Sequence, residues 1–347
     1  MKKVRFGVIG TNNITDWVIA GGRQDERFEV TAVCSRTQER AEEFAAKHGI
    51  PHTFTSLKEM AESDVVDAVY IATPNSYHCE QALICMCRGK HVLCEKPMAS
   101  NAWEGRKMID CAIENRVTLM EAMISTVNPN FLKVKENLNR LGKIRRYFAS
   151  YCQYSSRYDK FKEGTILNAF NPKLSNAAVM DIGIYTIYPM VALFGMPDNI
   201  QAQGVILDNG FEGQGAVNFT YNDIDMNATV VYSKIANSFL PSEIEGEDGT
   251  ILIDHIHIAE SVDYIPRIRT GQGKSQQAIK EPLGGPLDKS PYYYEIKEFI
   301  DLIQEGKQIS SINSWDASLD TLRVIDEIRR QLGVTYEADV YELTSKL

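Results

Sequence analysis

The fold is decided by the stretch Val4-Arg5-Phe6-Gly7-Val8-Ile9-Gly10-Thr11-Asn12-Asn13-Ile14, an apolar run that ends in a glycine-bearing turn. A strand that turns in this way into a helix can place backbone N–H groups and a helix N-terminus against a pyrophosphate. The dinucleotide-binding fingerprint would have its middle glycine at Asn12 and its last small residue at Thr15. Asparagine tolerates a left-handed backbone, so the turn can survive this change. Taken alone, the motif is also typical of an ordinary strand-to-helix turn. The candidate phosphate-binding residues are Gly10, Thr11, Asn12, Asn13 and Ile14.

The first 122 residues alternate short apolar runs with segments of helical periodicity. The strand-like runs are residues 4–9, 30–35, 68–72, 91–95 and 117–121. A helix is predicted to begin at Asn101, because Glu104 follows three residues later in a capping-box-like pair. Alternation of buried strands and helices predicts a parallel, doubly wound sheet. We therefore expect a Rossmann domain over residues 1–122.

The pattern changes after residue 122. Strands are predicted over residues 145–154, 215–221 and 227–233, and helices over residues 178–194, 292–304 and 315–332. Glu247-Asp248-Gly249 predicts a hairpin turn, and residues 282–291, with three prolines and two glycines, predict a loop. This arrangement indicates an α+β domain on a mostly antiparallel open sheet over residues 123–347, whose last helix can pack back on the first domain.

Bulk properties narrow the class of protein. A chain of 347 residues is too long for one ordinary core, and a net charge of −9 disfavours nucleic acid as a partner. The start Met1-Lys2-Lys3 lacks the apolar segment of a signal peptide, and the most apolar stretch, residues 182–194, is interrupted by polar residues and a proline. Seven cysteines, an odd number in one half of the chain, do not resemble a disulfide framework. We expect a cytoplasmic protein with reduced, buried thiols and no membrane partner.

The residues after the second strand bear on cofactor choice. Ser35 and Arg36 stand at this strand end, and Arg40 follows one turn later. An NAD site prefers a carboxylate here for the ribose 2′-OH, whereas NADP needs a donor or a cation for its 2′-phosphate. No acid stands at this position, so the pattern favours NADP(H) over NAD(H). The alternative is an exposed arginine at a helix start.

Two further loops follow strands at the same predicted sheet edge. Thr73-Pro74-Asn75 comes after the third strand, with His78 beyond it, and Glu95-Lys96-Pro97 comes after the fourth. Each could be plain turn chemistry, because proline and asparagine are common in turns. His78 could contact a cofactor or simply begin the next helix. Because ligands bind outside the carboxyl ends of parallel strands, their shared position favours a functional role.

These segments together resemble the glucose–fructose oxidoreductase / inositol dehydrogenase family, often abbreviated Gfo/Idh/MocA. The resemblance rests on residues 7–14, Ala72-Thr73-Pro74-Asn75 with His78, Glu95-Lys96-Pro97, Asp181-Ile182-Gly183-Ile184-Tyr185, and Gly246 to Gly249 with Ile251. It covers essentially the whole chain in order and spacing, and Glu95-Lys96-Pro97 is its most specific part.

The resemblance implies an NADP(H)-dependent oxidoreductase acting on a sugar, a polyol or a trans-dihydrodiol. It also implies a cis peptide bond before Pro97 and a second domain whose sheet often forms a dimer face. The family often has histidine where this chain has Tyr185, and a tyrosine there resembles the branch that contains dimeric dihydrodiol dehydrogenase and NADP-linked aldose dehydrogenases. That departure places the usual histidine acid/base chemistry in doubt.

Hydride transfer requires the protein to handle a proton at the reacting oxygen. A free tyrosine has a pKa of about 10, and a nearby cation lowers it. We therefore assign Tyr185 as proton donor or acceptor and Lys96 as the charge that tunes it, although the opposite division remains open. Asp181 lies four residues before Tyr185, which puts both on one helix face, so it can orient Lys96 or bind a substrate hydroxyl. Without the resemblance, Asp181 and Tyr185 would be an ordinary helix-start aspartate and a half-buried aromatic.

Other functions remain open at this point. A non-catalytic NADP-binding regulator is the main alternative, since function does not follow from fold, and a structural partner-binding protein is a third. Candidates to line the substrate pocket are the strand at residues 147–154 and the segment at residues 157–164. His255 and His257 are too few for a metal site, and none is predicted. A broad sheet with one open face favours a homo-oligomer.

Overall fold

Six parallel strands form the first sheet of the computed structural model, which describes residues 2–267 and 279–340. The strands are β1 (Val4–Ile9), β2 (Phe28–Cys34), β3 (His52–Phe54), β4 (Ala68–Ile71), β5 (His91–Glu95) and β6 (Leu119–Ala122). Their order across the sheet is β3-β2-β1-β4-β5-β6. Strand order therefore reverses between β1 and β4, and ligands bind at such a reversal beyond the carboxyl ends of the strands.

Five helices connect these strands and confirm the predicted doubly wound domain. They are α1 (Asn13–Gly22), α2 (Gln38–His48), α3 (Leu57–Glu62), α4 (His78–Met86) and α5 (Ala102–Asn115). The start of α5 is capped as predicted, because the Asn101 side chain accepts from the N–H of Glu104 at 2.9 Å. The Glu104 carboxylate in turn accepts from the N–H of Ser100 at 3.0 Å. Strand β3 escaped prediction because it has only three residues, at the sheet edge.

Eight strands form the second sheet, in the order β14-β13-β12-β11-β7-β10-β9-β8. They are β7 (Ile144–Cys152), β8 (Asn199–Ile206), β9 (Glu212–Tyr221), β10 (Met226–Ser233), β11 (Ser242–Gly246), β12 (Gly249–Ile253), β13 (Val262–Pro266) and β14 (Glu281–Gly284). Among the described strands of this second sheet, only β7 and β10 pair in parallel, so the predicted mostly antiparallel sheet is confirmed. The loop predicted for residues 282–291 is wrong at its start, because residues 282–284 lie in β14. An edge strand tolerates Pro282, which lacks an N–H.

The helices after residue 122 contribute buried side chains to the cores of both sheets. They are α6 (Ile124–Val127), α7 (Pro129–Asn137), α8 (Tyr158–Lys162), α9 (Ile184–Phe194), α10 (Pro291–Gln304) and α11 (Trp315–Leu332). A π-helical turn, Val179–Gly183, runs directly into α9, so the helix predicted over residues 178–194 is present. Buried side chains of α9, such as Ile187 and Met190, join one core with Val217 and Phe219 of β9.

The two C-terminal helices return to the first domain. Ile296, Phe299 and Ile300 of α10 belong to the core on one side of the first sheet, and Leu319 and Leu322 of α11 belong to the core on its other side. Burial of each such side chain stabilises the fold by about 2 kcal/mol. The two domains are therefore held together by helices from the end of the chain.

The helices, the potential metal ligands and the cysteines of the described residues bear on the remaining expectations. No helix within residues 2–267 and 279–340 is long and apolar enough to cross a bilayer. In the same residues, no three histidine, cysteine or acidic side chains come together as a metal site would need. All seven cysteines are free thiols, and Cys87 is exposed while Cys152 is half-buried, so the expectation of uniformly buried thiols is wrong for these two.

Candidate active site

The turn after β1 is built around Gly10. Its φ is +104°, and a Cβ at this position would lie 2.6 Å from the carbonyl oxygen of Ala72, so only glycine fits. Asn12 makes no use of asparagine's tolerance for a left-handed backbone: its φ is −116°, and the residue caps α1. The Asn12 side chain accepts from the N–H of Thr15 at 3.2 Å and donates to the carbonyl of Ala72 at 2.7 Å. Asn12 thus ties the turn to the residue that follows β4 and satisfies one of the first N–H groups of α1, which have no intrahelical acceptors.

A cleft of about 450 Å³ opens beside this turn. The sequence-predicted residues that line it are Gly10, Thr11, Asn12, Ser35, Arg36, Arg40, Thr73 and Pro74. The carboxyl ends of β1, β2 and β4 bring these residues together, and the volume is that of a typical small-molecule or cofactor site. The predicted residues outside this lining are Asn13, Ile14, Asn75, His78, Glu95 and Lys96.

Two unpaired cations border the cleft. Arg36 and Arg40 are exposed, and their guanidinium groups make no hydrogen bond or ion pair with any residue that the structure describes. Most other arginines are paired, as Arg27 is with Asp25 and Asp301. A guanidinium donates in a fork that matches phosphate geometry, so this end of the cleft is suited to a phosphate group.

Asn75 and His78 hold the neighbouring loops instead of lining the cleft. The Asn75 side chain donates to the carbonyl of Ser175 at 2.8 Å and so bridges the two domains. The fully buried His78 places its ring nitrogens 2.8 Å from the carbonyl oxygen of Thr73 and 2.9 Å from that of Pro97. His78 therefore ties a cleft-lining residue to the turn that carries Lys96.

The turn after β5 contains the cis peptide bond between Lys96 and Pro97 that the resemblance implies. The Glu95 carboxylate is buried and accepts from the phenol of Tyr70. Burial raises the pKa of Glu95, against the opposing charge of Lys96. These contacts leave Glu95 below the site surface and direct the Lys96 side chain toward the second domain.

Asp181 is held between two lysines. The Lys96 Nζ donates to the carbonyl and to Oδ1 of Asp181, at 2.7 and 3.0 Å, while the Lys234 Nζ donates to Oδ2 at 2.6 Å. Burial opposes the charge on Asp181, but Lys234 and Lys96 outweigh it and hold the pKa of this carboxyl well below its ordinary value. Lys234 was missed by sequence reasoning, because an isolated lysine at the end of β10 carries no motif. Its side chain is only 4% exposed, which marks it as part of the site and not of the surface.

Tyr185 presents its ring face, and not its hydroxyl, to the Lys96 ammonium group. The Lys96 Nζ is 4.9 Å from the centre of the Tyr185 ring and makes no hydrogen bond to its hydroxyl. Burial raises the pKa of Tyr185 well above 10, and the carboxylate of Glu95 adds to the rise. The expected lowering of the Tyr185 pKa is therefore wrong for the protein without ligands. The phenol is therefore protonated at neutral pH and carries an O–H that can donate.

Tyr151 and His257 complete the wall around Tyr185. Their rings stack in parallel, with centres 4.3 Å apart, and both meet the Tyr185 ring edge-on. Tyr151 comes from β7, within the predicted pocket-lining strand, whereas Tyr147 of the same strand is buried and donates to the carbonyl of Thr186. The two tyrosines are four residues apart and lie on the same face of β7, so strand alternation could not separate the buried one from the one at the site.

The arrangement of these residues defines a class of protein. A doubly wound sheet with a glycine turn, a cleft bordered by free arginines and a lysine at the carboxyl end of β5 is the architecture of a dinucleotide-dependent oxidoreductase. The chain belongs to the Gfo/Idh/MocA family. Residues 4–123 match the model of the oxidoreductase family with NAD-binding Rossmann fold, and residues 131–252 match the GFO/IDH/MocA C-terminal domain.

Curated relatives match over nearly their whole length. The chain is 50% identical to the scyllo-inositol 2-dehydrogenase (NADP(+)) IolU of Bacillus subtilis (strain 168), covering 97% of this chain and 99% of that protein. It is 30% identical to the trans-1,2-dihydrobenzene-1,2-diol dehydrogenase of Danio rerio, covering 97% and 99% of the two chains. The crystal structure of aldose-aldose oxidoreductase from Caulobacter crescentus, complexed with glycerol, superposes with a TM-score of 0.81 at 22% identity, covering 95% and 97%. The last likeness concerns the fold alone.

Proposed function

We propose that this protein is an NADP(H)-dependent dehydrogenase that transfers hydride between nicotinamide and a carbinol or carbonyl carbon of a polyhydroxylated ring. The observation that carries the proposal is the placement of Lys96 and Tyr185, which offer free donors at one point beyond the phosphate-suited cleft. Among sugars, polyols and trans-dihydrodiols, scyllo-inositol is the first substrate to test, because the relative of 50% identity is named for it.

The cofactor fits residues that are present. Gly10 lets the turn pack closely against Ala72, where a Cβ would not fit, and the unpaired Arg36 and Arg40 match a 2′-phosphate. No carboxylate lines this part of the cleft to select a free ribose 2′-OH. These features support NADP(H) over NAD(H).

The protein's own part in the reaction concerns the proton. When bound, the nicotinamide cofactor supplies or accepts the hydride. An ammonium group has three N–H donors, and Asp181 takes two of those on Lys96, so one remains for a substrate oxygen. The Tyr185 hydroxyl makes no hydrogen bond with a described residue and is a second donor beside it. Both groups stabilise the negative charge that develops on a carbonyl oxygen during reduction. We assign the proton transfer to Tyr185 and the polarisation of that oxygen to Lys96.

The direct test is absorbance at the reduced-nicotinamide band, with NADP+ and NAD+ against a panel of inositols, aldoses and trans-dihydrodiols. We expect turnover of at least one ring polyol with NADP+, and slower turnover with NAD+. Tight NADPH binding without turnover of any panel member would instead support a non-catalytic regulator. Absence of binding would contradict both functions.

Replacing Arg36 and Arg40 by alanine tests the cofactor assignment. The double variant should weaken NADPH binding by about 10- to 100-fold, because charge-assisted contacts to the 2′-phosphate are lost. Affinity for NADH should change little. Isothermal titration measures both, with Arg106→Ala as a control, since Arg106 is exposed in α5 and pairs with Asp110. Equal losses for NADPH and NADH would place the 2′-phosphate elsewhere.

Three broader assignments belong with this function. We propose that residues 1–122 form the cofactor domain and residues 123–347 the substrate and oligomerisation domain, and that the protein acts in the cytoplasm. We also propose a homodimer through the outward face of the second sheet, where Phe239 is 96% and Leu240 61% exposed beside Phe148. Sedimentation of the wild type should give a dimer, and Leu240→Asp should shift it toward monomer. A monomeric wild type would contradict this assignment.

A further inference from the structure

We infer that His257 binds a second substrate hydroxyl, next to the one held by Lys96 and Tyr185; this inference rests on the proposed function. His257 would then make the site specific for rings that carry neighbouring hydroxyl groups, such as cyclic polyols and diols. The residue comes from the loop between β12 and β13, far in sequence from the glycine turn and from Lys96.

Ring contacts place His257 at the site. Its imidazole stacks on Tyr151 with an angle of 4° between the ring planes, and its centre lies 6.2 Å from that of Tyr185. The Lys96 Nζ lies 4.9 Å from the same Tyr185 ring centre. The imidazole and the ammonium group are thus both neighbours of the Tyr185 ring, which places them in one site.

The loop that carries His257 is fixed in place. Asp254 accepts from the backbone N–H groups of His255 and Glu260, at 2.7 and 3.1 Å. Ile256 is 2% exposed and anchors the loop in the core. The carbonyl of Ala259 accepts from Asn128 and Asn130 of the helical layer. The imidazole is therefore held ready for a ligand, so binding would cost little ordering entropy.

The chemistry of the imidazole suits a hydroxyl. Burial lowers the pKa of His257 to about 4, so the ring is neutral at pH 7 and offers one N–H donor and one acceptor nitrogen. Neither nitrogen makes a hydrogen bond with any residue in the described part of the chain, although the ring is half-buried. A substrate hydroxyl, itself a donor and an acceptor, satisfies either nitrogen. The stacking on Tyr151 accounts for the orientation of the ring but leaves its polar edge available.

Two variants separate hydroxyl binding from packing. His257→Phe keeps an aromatic ring against Tyr151 and loses the nitrogens, whereas His257→Gln keeps a donor and an acceptor and loses the ring. The readout is calorimetric titration of scyllo-inositol into protein saturated with NADPH, a dead-end complex that requires no turnover. We expect His257→Phe to weaken binding about 10-fold, His257→Gln to recover part of the loss, and NADPH affinity to be unchanged in both. His52→Phe is the matched control, because His52 is exposed on β3 at the edge of the first sheet.

The outcomes distinguish this inference from the function on which it rests. Wild-type affinity in His257→Phe, or a larger loss in His257→Gln than in His257→Phe, would overturn the role of the nitrogens even if the enzyme turns over. If both His257 variants show the expected affinities for scyllo-inositol but the wild type turns over no ring polyol, the hydroxyl subsite is supported and the proposed dehydrogenase activity is contradicted. Failure of scyllo-inositol to bind the wild type would overturn the inference as stated.

Discussion

Lys96→Met should abolish most turnover while leaving the cofactor bound. The variant keeps the length of the side chain but removes the remaining free N–H donor beside Tyr185. Loss of one positioned donor or proton-transfer group lowers turnover by roughly 10²- to 10⁴-fold, and we expect the upper part of this range because the same ammonium also orients Asp181. NADPH affinity should change by no more than about threefold, since the 2′-phosphate and pyrophosphate contacts lie elsewhere in the cleft.

Single-turnover absorbance and calorimetry measure the two quantities in the same preparation. Lys90→Met is a matched control, because Lys90 donates to the carbonyls of Ser63 and Val66, away from the carboxyl end of the first sheet where Lys96 stands. Its turnover should stay close to that of the wild type. Turnover by Lys96→Met within a few-fold of the wild type would remove Lys96 from the chemistry.

Asp181→Asn should be the most destabilising single change in the site. It leaves the charges of Lys96 and Lys234 without a counter-ion, and the Lys234 side chain is only 4% exposed. Breaking a fully buried pair costs about 3–5 kcal/mol, and we expect about 2 kcal/mol here because solvent screens an Asp181 side chain that is 34% exposed. Urea unfolding followed by circular dichroism gives the free energy of unfolding.

The pH dependence gives this prediction a signature that packing changes lack. The pKa of Asp181 is lower in the folded protein than in the unfolded chain, so its stabilising contribution is complete above about pH 5 and is lost as the pH falls through and below 4. The stability gap between wild type and Asp181→Asn should therefore narrow on acidification. Asp208→Asn is the control, because Asp208 is exposed and forms no ion pair with a described residue. A gap that does not change down to about pH 3 would contradict the charge argument.

Local signals predicted most of the fold. Residues 4–9 and 91–95 match β1 and β5, because buried parallel strands are continuous apolar runs between polar turns. The strands that escaped prediction are β3, β8, β13 and β14. These strands are short, exposed or contain a proline, and they form because neighbouring strands pair with them. Their pairing is a tertiary effect that no local pattern contains.

Site residues could be predicted where a sequence motif marks the end of a strand. They could not be predicted where only the three-dimensional arrangement of the strands brings them together. Arg36 and Lys96 follow strands of one parallel sheet, so their common edge follows from the order of elements. Lys234 directly follows β10 and His257 lies in the loop between β12 and β13, and only the arrangement of the second sheet places them near Asp181 and Tyr185. Sequence spacing also gave the wrong direction for the shift in the pKa of Tyr185. Burial raises this pKa, and the Lys96 ammonium lies over the ring and not at the hydroxyl, where it would lower the pKa.

A structure of the protein crystallised with NADPH tests the central claim most directly. We expect the 2′-phosphate to lie between Arg36 and Arg40 and the reactive nicotinamide carbon to face Lys96 and Tyr185, with room for a substrate carbon about 3–3.5 Å from it. A nicotinamide ring placed away from both side chains, with Lys96 still paired only to Asp181, would contradict it.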